Sequence, residues 1–245
     1  MNNSTLHFKR KENQLTAKTK SFWDPKINNN LLECKVSQQQ IWDKLSGWWN
    51  KFRQRPVPEV EKFLKNKKGK VLDLGCGSGR NMILNKNAEY YGVDFSEEML
   101  KHAEKNAKNK NIKAIFLKAD IGNEKLPFEN DFFDAGVFIS TLHSIDKSKK
   151  RLKALKELHR VMKENSETII SVWDKNGDEK LREIKGKEAY LNWKADGKNY
   201  KRYYYFYDKE ELLRELKKAG FKVMKKEAKI KSKHGDKNFI FYVRK

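Results

Sequence analysis

The chain has 245 residues, which is enough for one sizeable α/β domain but short for two. Hydrophobic residues make up 38% of it and aromatic residues 12%, so an apolar core can form and global disorder is excluded. Two cysteines, Cys34 and Cys76, are too few for a disulfide framework, and no His/Cys spacing predicts a zinc site. No apolar run approaches the roughly 18 residues of a membrane span or forms a signal core, which predicts a cytoplasmic protein without membrane contact.

The charge of the chain is far from neutral. It carries 55 Lys and Arg against 33 Asp and Glu, a formal net charge of +22. A field of this sign attracts polyanions, which makes RNA or DNA the first partner to consider. AT-rich codon usage also produces many Lys and Asn residues, so the basicity by itself leaves both explanations open.

The first residues and the rest of the chain differ in character. Residues 1–36 are polar with scattered aromatic side chains, which predicts a basic N-terminal arm that is only partly ordered. One domain is predicted over 37–245. It opens with a helix, because apolar side chains recur at helical spacing after Ser37, and Pro56 and Pro58 end that helix.

Strands and helices then alternate along the chain. Seven strands are predicted, at 70–74, 90–93, 112–117, 133–139, 168–173, 221–229 and 238–243. Helices are predicted at 97–109, 149–163 and 210–219, and a polar, irregular insertion at about 175–205. Strands separated by helices form a parallel sheet, whereas the last two strands form an antiparallel hairpin at its edge. The predicted fold class is α/β, a mostly parallel seven-stranded sheet with helices on both faces.

A glycine-rich loop follows the strand 70–74 directly and reads Gly75-Cys76-Gly77-Ser78-Gly79. The backbone must turn sharply here and pass close to a ligand, which glycine permits because it has no Cβ. Doubly wound sheets bind nucleotides at this place, beyond the carboxyl ends of the strands. A dinucleotide-binding loop needs glycine at position 80, where Arg80 stands, so a nicotinamide cofactor is excluded. Asp73 precedes the first glycine by two positions.

Two further carboxylates end the next two predicted strands. Asp94 comes nineteen positions after Gly75, and Asp120 follows the strand 112–117. The first can accept both hydroxyls of a ribose, and the second can accept from an adenine amino group, with Ile121 packed on the ring. Each Asp alone is equally well explained as a helix cap or a turn residue. Three acids and three glycines at consecutive strand ends together favour a nucleoside site.

This constellation resembles the class I S-adenosylmethionine-dependent methyltransferases, which have a Rossmann-like seven-stranded sheet. The resemblance implies S-adenosylmethionine as cofactor and S-adenosylhomocysteine as product. It places the methionine moiety over the glycine loop, the ribose on Asp94 beside Phe95, and the adenine near Asp120 and Ile121. The cofactor-binding residues that it implies are Arg53, Asp73, Gly75, Cys76, Gly77, Gly79, Asp94, Phe95, Asp120, Ile121 and Ile139.

Three other segments narrow the resemblance: Phe52 to Pro58, Phe138 to Ile145, and Arg202-Tyr203-Tyr204. Together, over about residues 40–245, they are similar to the tRNA methyltransferases that esterify 5-carboxymethyluridine at the wobble position of the anticodon. The chain departs from that family's pattern at four places, which are Val57 for a tryptophan, Ser144 and Tyr205 for histidines, and 163–166 for a proline-glycine turn.

The narrower resemblance implies a tRNA anticodon loop as substrate and a carboxylate as methyl acceptor. A carboxylate is ionised at pH 7, because its pKa lies near 4, so transfer needs no general base. A cation is needed to orient it and to neutralise tRNA phosphates, and Arg202 is the first candidate. Arg53 is the second, unless its guanidinium holds the methionine carboxylate. His143 is expected either to face the transferred methyl or to cap the turn before Lys147.

Aromatic residues near Arg202 have two interpretations each. Tyr203 and Tyr204 either stack on an extruded base or pack into the edge of the sheet. Trp193, in the insertion, is either a platform for a base or a lid over the site. The catalytic candidates are therefore His143, Arg202 and Tyr203, and no metal ligand is predicted.

Members of the resembled family work with a small zinc-binding activator protein that pairs along a sheet edge. The strand 112–117 is expected at an edge, and its apolar residues Ile115, Phe116 and Leu117 favour such pairing. Two other functions stay open at this point. One is methylation of a small metabolite or of another RNA position, which the basic charge disfavours. The other is RNA binding without catalysis, which the intact glycine loop and acids disfavour.

Overall fold

A computed structural model describes residues 23–24, 36–177, 179–227 and 238–245 of the chain. Most of the predicted N-terminal arm, including Cys34, therefore lies outside the described residues. The part of the arm that is described is the two-residue strand β1 (Trp23–Asp24), which pairs antiparallel with a strand of the predicted insertion.

The helices and strands follow one another in an alternating order. The helices are α1 (Gln38–Phe52), α2 (Pro58–Leu64), α3 (Glu97–Asn109), α4 (Ser148–Val161), α5 (Glu179–Arg182) and α6 (Lys209–Lys218). The further strands are β2 (Gly69–Leu74), β3 (Ala88–Asp94), β4 (Ala114–Lys118), β5 (Phe133–Ile139), β6 (Met162–Trp173), β7 (Glu188–Ala195), β8 (Lys198–Tyr205), β9 (Lys222–Glu227) and β10 (Asn238–Arg244).

The main sheet has seven strands in the order β4-β3-β2-β5-β6-β10-β9. The strands from β2 to β6 pair in parallel, and β10 is antiparallel to both of its neighbours. This arrangement confirms the predicted fold class, the closing antiparallel pair and the edge position of β4. Because the first five of these strands are parallel, their carboxyl ends all meet at one edge of the sheet, where the glycine loop lies.

Local sequence signals set the helix starts. The Ser96 hydroxyl accepts a hydrogen bond from the Met99 N–H at 3.2 Å, so α3 begins as the sequence predicts. Ser37 forms a capping box with Gln40, in which each side chain bonds the backbone N–H of the other residue. Pro58 occupies the first turn of α2, where its missing N–H is not needed.

The two faces of the sheet are both covered by helices. Leu72 and Leu74 of β2 pack into a core with side chains of α4 and α6. Val71, the residue before Leu72, points to the opposite face and packs with side chains of α2 and α3. This alternation along one strand follows from the pleat, and it confirms the prediction of helices on both faces.

The prediction of an irregular insertion at 175–205 is wrong. This segment contains α5 and an antiparallel hairpin of β7 and β8, joined by Asp196-Gly197. Both turn residues have positive φ, 48° and 74°, as a two-residue hairpin turn requires. Many residues of this segment are polar, but its buried residues recur with a period of two. Every second residue of β7 is buried, and these side chains pack with α1 and α5 in a third core.

Candidate active site

The glycine loop is tightly packed against the protein on one side and open on the other. Gly75, Gly77 and Gly79 all have positive φ, 70°, 53° and 73°. A Cβ on Gly75 would lie 2.3 Å from Cγ2 of Thr141, so no side chain fits there. A Cβ on Gly77 would meet no atom within 4 Å. The loop is therefore packed at its base and open at Gly77, where a ligand can approach the backbone.

A cavity of about 480 Å³ lies above this loop, within the roughly 300–1,000 Å³ usual for small-molecule sites. The structure brings eight of the predicted cofactor residues to its wall, which are Gly75, Cys76, Gly77, Asp94, Phe95, Asp120, Ile121 and Ile139. Three others, Arg53, Asp73 and Gly79, do not line it. Gly79 instead sits against Ala103 of α3, 3.3 Å from where its Cβ would be, so it serves packing of the loop.

Asp94 ties the glycine loop to the end of β3. Its Oδ2 accepts a hydrogen bond from the Gly77 N–H at 2.8 Å, and its Oδ1 accepts from the Ser96 N–H at 3.0 Å. Burial raises the pKa of this carboxyl to about 6, although the backbone N–H groups oppose the rise. The group is thus ionised at neutral pH, and it faces the cavity as an acceptor for ligand hydroxyls.

Asp73 lies beneath the loop and is only 2% exposed. Burial, with a smaller contribution from Asp94, raises its pKa to about 7, while Arg80 opposes the rise. Its Oδ2 has no hydrogen-bond partner within the part of the chain that the structure describes. A buried carboxylate oxygen without a donor fits a cationic or donor group of a ligand, such as the amino group of a methionine moiety.

Asp120 stands at the other end of the cavity. Its Oδ1 accepts from the Gly122 N–H at 3.0 Å, and its Oδ2 accepts from the Asn123 side-chain amide at 2.6 Å. These bonds hold the turn after β4 in place, with Ile121 buried beside it. A carboxylate has about four acceptor sites, so it can still accept from an adenine amino group.

Arg53 interacts electrostatically with both Arg80 and Arg202, and we call these three residues the arginine cluster. Burial lowers the pKa of Arg80 to about 10, and repulsion from Arg53 adds to the effect. Burial also lowers the pKa of Arg202 to about 10, again with repulsion from Arg53. Arg80 and Arg202 therefore stay protonated at pH 7. Arg80 lines the cavity but is not among the residues predicted from the sequence, although its place directly after the third glycine is a signal for it.

Arg202 is buried inside a cage of aromatic rings. Its Cζ lies 3.6 Å from the ring centre of Trp42, 4.8 Å from Trp49, 4.6 Å from Trp193 and 5.0 Å from Tyr204. Its Nε and Nη1 have no hydrogen-bond partner among the described residues. With 2% of its surface exposed, Arg202 cannot neutralise tRNA phosphates, which corrects that expectation. Trp193 likewise packs in the cage and is no loop platform.

His143 is also displaced from its expected place. It is 1% exposed, does not line the cavity, and stacks on the Tyr204 ring with centres 5.6 Å apart. Its Nδ1 accepts from the Trp173 N–H at 3.3 Å. Burial and, to a lesser extent, Arg202 lower its pKa to about 3, so the imidazole is neutral. It neither faces the transferred methyl nor caps the turn before Lys147.

The two neighbouring tyrosines of β8 point in opposite directions. Tyr203 lines the cavity and meets Tyr190 edge to face, with ring centres 5.7 Å apart. Tyr204 is fully buried and stacks on Trp173 at 4.6 Å. Strand alternation explains the difference. Tyr203 is thus available to a ligand, whereas the expectation that Tyr204 stacks on a base is wrong.

Helix α1 roofs the cavity and is held on both sides. Gln38 donates from Nε2 to the Lys201 carbonyl at 3.2 Å and accepts at Oε1 from the Tyr203 N–H at 2.9 Å. On the other side, Asp43 accepts from the Ser96 hydroxyl at 2.6 Å. Sequence reasoning missed both bridging residues, because their partners lie far away in the chain.

Two kinds of site are not found within the described ranges. No group of three or more His, Cys, Asp and Glu residues there is arranged to hold a metal ion. No helix in the same ranges is long and apolar enough to cross a membrane.

Comparison with known proteins places the chain in a family. A family model described as a methyltransferase domain matches residues 65–220. The chain is 30% identical over 136 residues to a tRNA (carboxymethyluridine(34)-5-O)-methyltransferase of Arabidopsis thaliana, a match covering 55% of this chain but only 32% of that protein. It is 25% identical over 210 residues to the protein of that name from Schizosaccharomyces pombe, covering 76% and 88%.

A solved structure shares the fold. The S-adenosylmethionine-dependent methyltransferase from Methanosarcina mazei superposes with a TM-score of 0.65 at 20% identity, over 78% of this chain and 98% of that one. The family match agrees with the glycine loop, the two strand-end acids and the seven-stranded sheet, because all of them indicate the same class of enzyme. The chain therefore belongs to the methyltransferase domain family and is an S-adenosylmethionine-dependent methyltransferase.

Proposed function

We propose that this enzyme methylates the carboxylate of 5-carboxymethyluridine at the wobble position of tRNA. The observation that carries the proposal is the arginine cluster, in which Arg53 repels both Arg80 and Arg202. Asp73 opposes the lowering of the Arg80 pKa, whereas burial and Arg53 lower the pKa of Arg202. Two further anions, a methionine carboxylate and an acceptor carboxylate, would balance the cluster.

The residues at the methionine end fit the cofactor. Arg80 lines the cavity and would hold the methionine carboxylate, with Arg53 next to it. Asp73 would accept from the amino group, Asp94 from the ribose, and Asp120 from the adenine. When bound, S-adenosylmethionine supplies a methyl group on a positively charged sulfur. The chain's own task is to align the acceptor with that methyl and to keep water out.

The other end of the cavity suits a flat acceptor that is already ionised. Trp42, Trp49, Tyr190 and Tyr203 form an aromatic wall there. Arg202 lies directly behind Trp42 and gives this wall a positive potential, which reaches further in a buried, low-dielectric setting. His143 points away and is a weak base. A carboxylate needs no base, so the site matches that acceptor better than a hydroxyl.

Nucleoside mass analysis of tRNA tests the proposal. We expect tRNA from cells that lack this protein to lose the methyl ester at the wobble uridine and to accumulate 5-carboxymethyluridine. Purified enzyme with S-adenosylmethionine is expected to restore the ester on that tRNA. Unchanged nucleosides, together with intact cofactor binding, would point to a small metabolite or another RNA position as acceptor.

The variant Arg202→Met tests the role of the buried cation. Methionine fills much of the same space without charge, and replacing a buried ion by an apolar side chain often costs little stability. We expect cofactor affinity within about threefold of wild type, and methyl transfer lowered about 100-fold, the size of one lost electrostatic contact. Equal losses of affinity and transfer would place Arg202 on the cofactor instead.

The proposal includes a zinc-binding activator protein and a cytoplasmic location. Strand β4 is at the sheet edge, as expected, and Ile115 on it is 44% exposed. An apolar residue on an open edge favours strand pairing with another chain. Ile115→Lys is expected to abolish co-purification with the activator and to leave cofactor affinity unchanged. Retained co-purification would exclude β4 as the pairing edge.

A further inference from the structure

The hairpin of β7 and β8 presents a row of side chains that extends from the methyl-transfer cavity to the surface of the protein. The register pairs Tyr190 with Tyr203, Asn192 with Lys201, and Lys194 with Asn199. Because side chains alternate along a strand, these six residues share one face, which we call the outer hairpin face. The opposite face packs with α1 and α5 in the third core.

The outer hairpin face changes character along its length. At one end, Tyr190 and Tyr203 line the cavity. At the far end, Lys194 and Asn199 are exposed, and Lys201 lies half-buried between them and the tyrosines. The distance from Tyr190 to Lys194 is four residues of an antiparallel strand, about 14 Å. The face therefore leads from an aromatic cavity to a cationic surface.

Two lysines carry the positive charge of this face, and Glu188 continues the same row beyond Tyr190. Neither Lys194 nor Lys201 forms an ion pair with a carboxylate among the residues that the structure describes. Many other lysines are paired, for example Lys187 with Asp208 at 2.6 Å and with Glu211 at 2.7 Å, near the other end of β7. Two unpaired lysines in line with an aromatic wall complement an anion that also carries flat rings.

We infer that the outer hairpin face binds the single-stranded RNA that flanks the nucleotide in the cavity. Bases would stack at Tyr190 and Tyr203, and the following phosphates would lie on Lys201 and Lys194. Aromatic rings joined to a cationic track are the common means of holding single strands. A duplex does not expose its base faces to such rings. The inference rests on the proposed function and names the surface on which its RNA lies.

Binding of a fluorescein-labelled anticodon stem-loop RNA, followed by anisotropy over a salt series, tests the charge. Lys194→Gln/Lys201→Gln removes both charges. The control, Lys68→Gln/Lys86→Gln, removes two exposed charges just before β2 and β3. These positions lie at the amino ends of the strands, whereas the cavity lies at the carboxyl ends. We expect about tenfold weaker binding and a salt slope reduced by about 1.4 for the hairpin variant only, at about 0.7 per lost phosphate contact. Cofactor affinity is expected to stay unchanged and to verify folding.

A second pair of variants tests the rings. Tyr190→Leu is expected to weaken RNA binding about tenfold, the size of one lost base stack, without changing the salt slope. Tyr190→Phe keeps the ring and is expected to bind nearly as wild type. The inference would be overturned if the two lysine double variants and the two Tyr190 variants all bound the RNA with the affinity of wild type.

The outcomes separate this inference from the proposed function. A hairpin variant that binds RNA like its control, while the wild type still forms the wobble ester, overturns the inference alone. RNA binding that depends on the hairpin, without any ester formed on 5-carboxymethyluridine, overturns the proposed function alone. Equal weakening on a fully paired duplex of the same length would show a general phosphate-binding surface and overturn the single-strand assignment.

Discussion

Asp73 carries a carboxylate that is buried beneath the glycine loop. Its pKa is raised to about 7, chiefly by burial, from an ordinary value of 3.8. The folded protein therefore binds a proton that the unfolded chain has released between these values. The stabilising contribution of this group is full below about pH 3.8 and is lost as the pH rises through about 7.

Asp73→Asn is expected to stabilise the cofactor-free protein above pH 7, because the amide cannot ionise. A gain of about 1 kcal/mol would raise Tm by about 2–4 °C for a chain of this size. The gain should vanish near pH 4, where the wild-type carboxyl is protonated, and cofactor affinity should fall. Thermal unfolding at several pH values and calorimetry measure both effects.

Glu124→Gln is the matched control, since Glu124 is exposed and loses the same charge. Its Tm is expected to follow wild type at every pH, because exposed substitutions change stability little. A Tm gain that is the same for Asp73→Asn at pH 4 and pH 8 would contradict a buried, titrating Asp73.

At the scale of elements, α1 decides the shape of the cavity. Its first turn bonds the open edge of β8 through Gln38, whose amide takes the place of a neighbouring strand by donating to Lys201 and accepting from Tyr203. Asp43 bonds the N-cap of α3. Helix α1 thus joins the hairpin to the cofactor-binding half, and Trp42 and Trp49 reach the cavity from it.

Gln38→Leu is expected to loosen this roof. The substitution leaves the Lys201 carbonyl and the Tyr203 N–H without partners, at a cost of about 1–3 kcal/mol. Gln38→Glu keeps the acceptor for Tyr203 and should fall between Leu and wild type. Amide hydrogen exchange of 38–52 reports the loosening, and exchange in β2 should stay unchanged. Equal exchange in all three proteins would show that the roof is held by its tryptophans alone.

The hairpin shows where reading the sequence by periodicity failed. The residues 188–205 look polar, because lysines and asparagines occupy the exposed positions between buried ones. The pair Asp196-Gly197 is typical of a two-residue hairpin turn, and this local signal identifies the hairpin better than the overall polarity of the segment does. The central strands β2, β3 and β5 were predictable because both of their faces are buried, so their apolar runs stand out.

At the scale of the whole molecule, the net charge of +22 produces an electrostatic field that attracts polyanions. If RNA is the substrate, its binding should weaken by more than about tenfold between 50 and 200 mM salt, because bound phosphates release counterions. Cofactor affinity should change little over the same range, since a small enclosed ligand displaces few ions. Anisotropy and calorimetry in parallel measure the two. RNA affinity that does not depend on salt would attribute the lysine content to codon usage.

The sequence by itself determined the fold class, the glycine loop and the strand-end acids. These features follow from local chemistry, since glycines at a strand end and acids after the next strands have few other uses in combination. Only the tertiary structure decided what Arg80, Arg202, His143 and Gln38 do. Their roles depend on burial and on partners elsewhere in the chain, which for Gln38 and Arg202 lie more than a hundred residues away. The spacing of residues along a chain does not record which side chains a fold encloses.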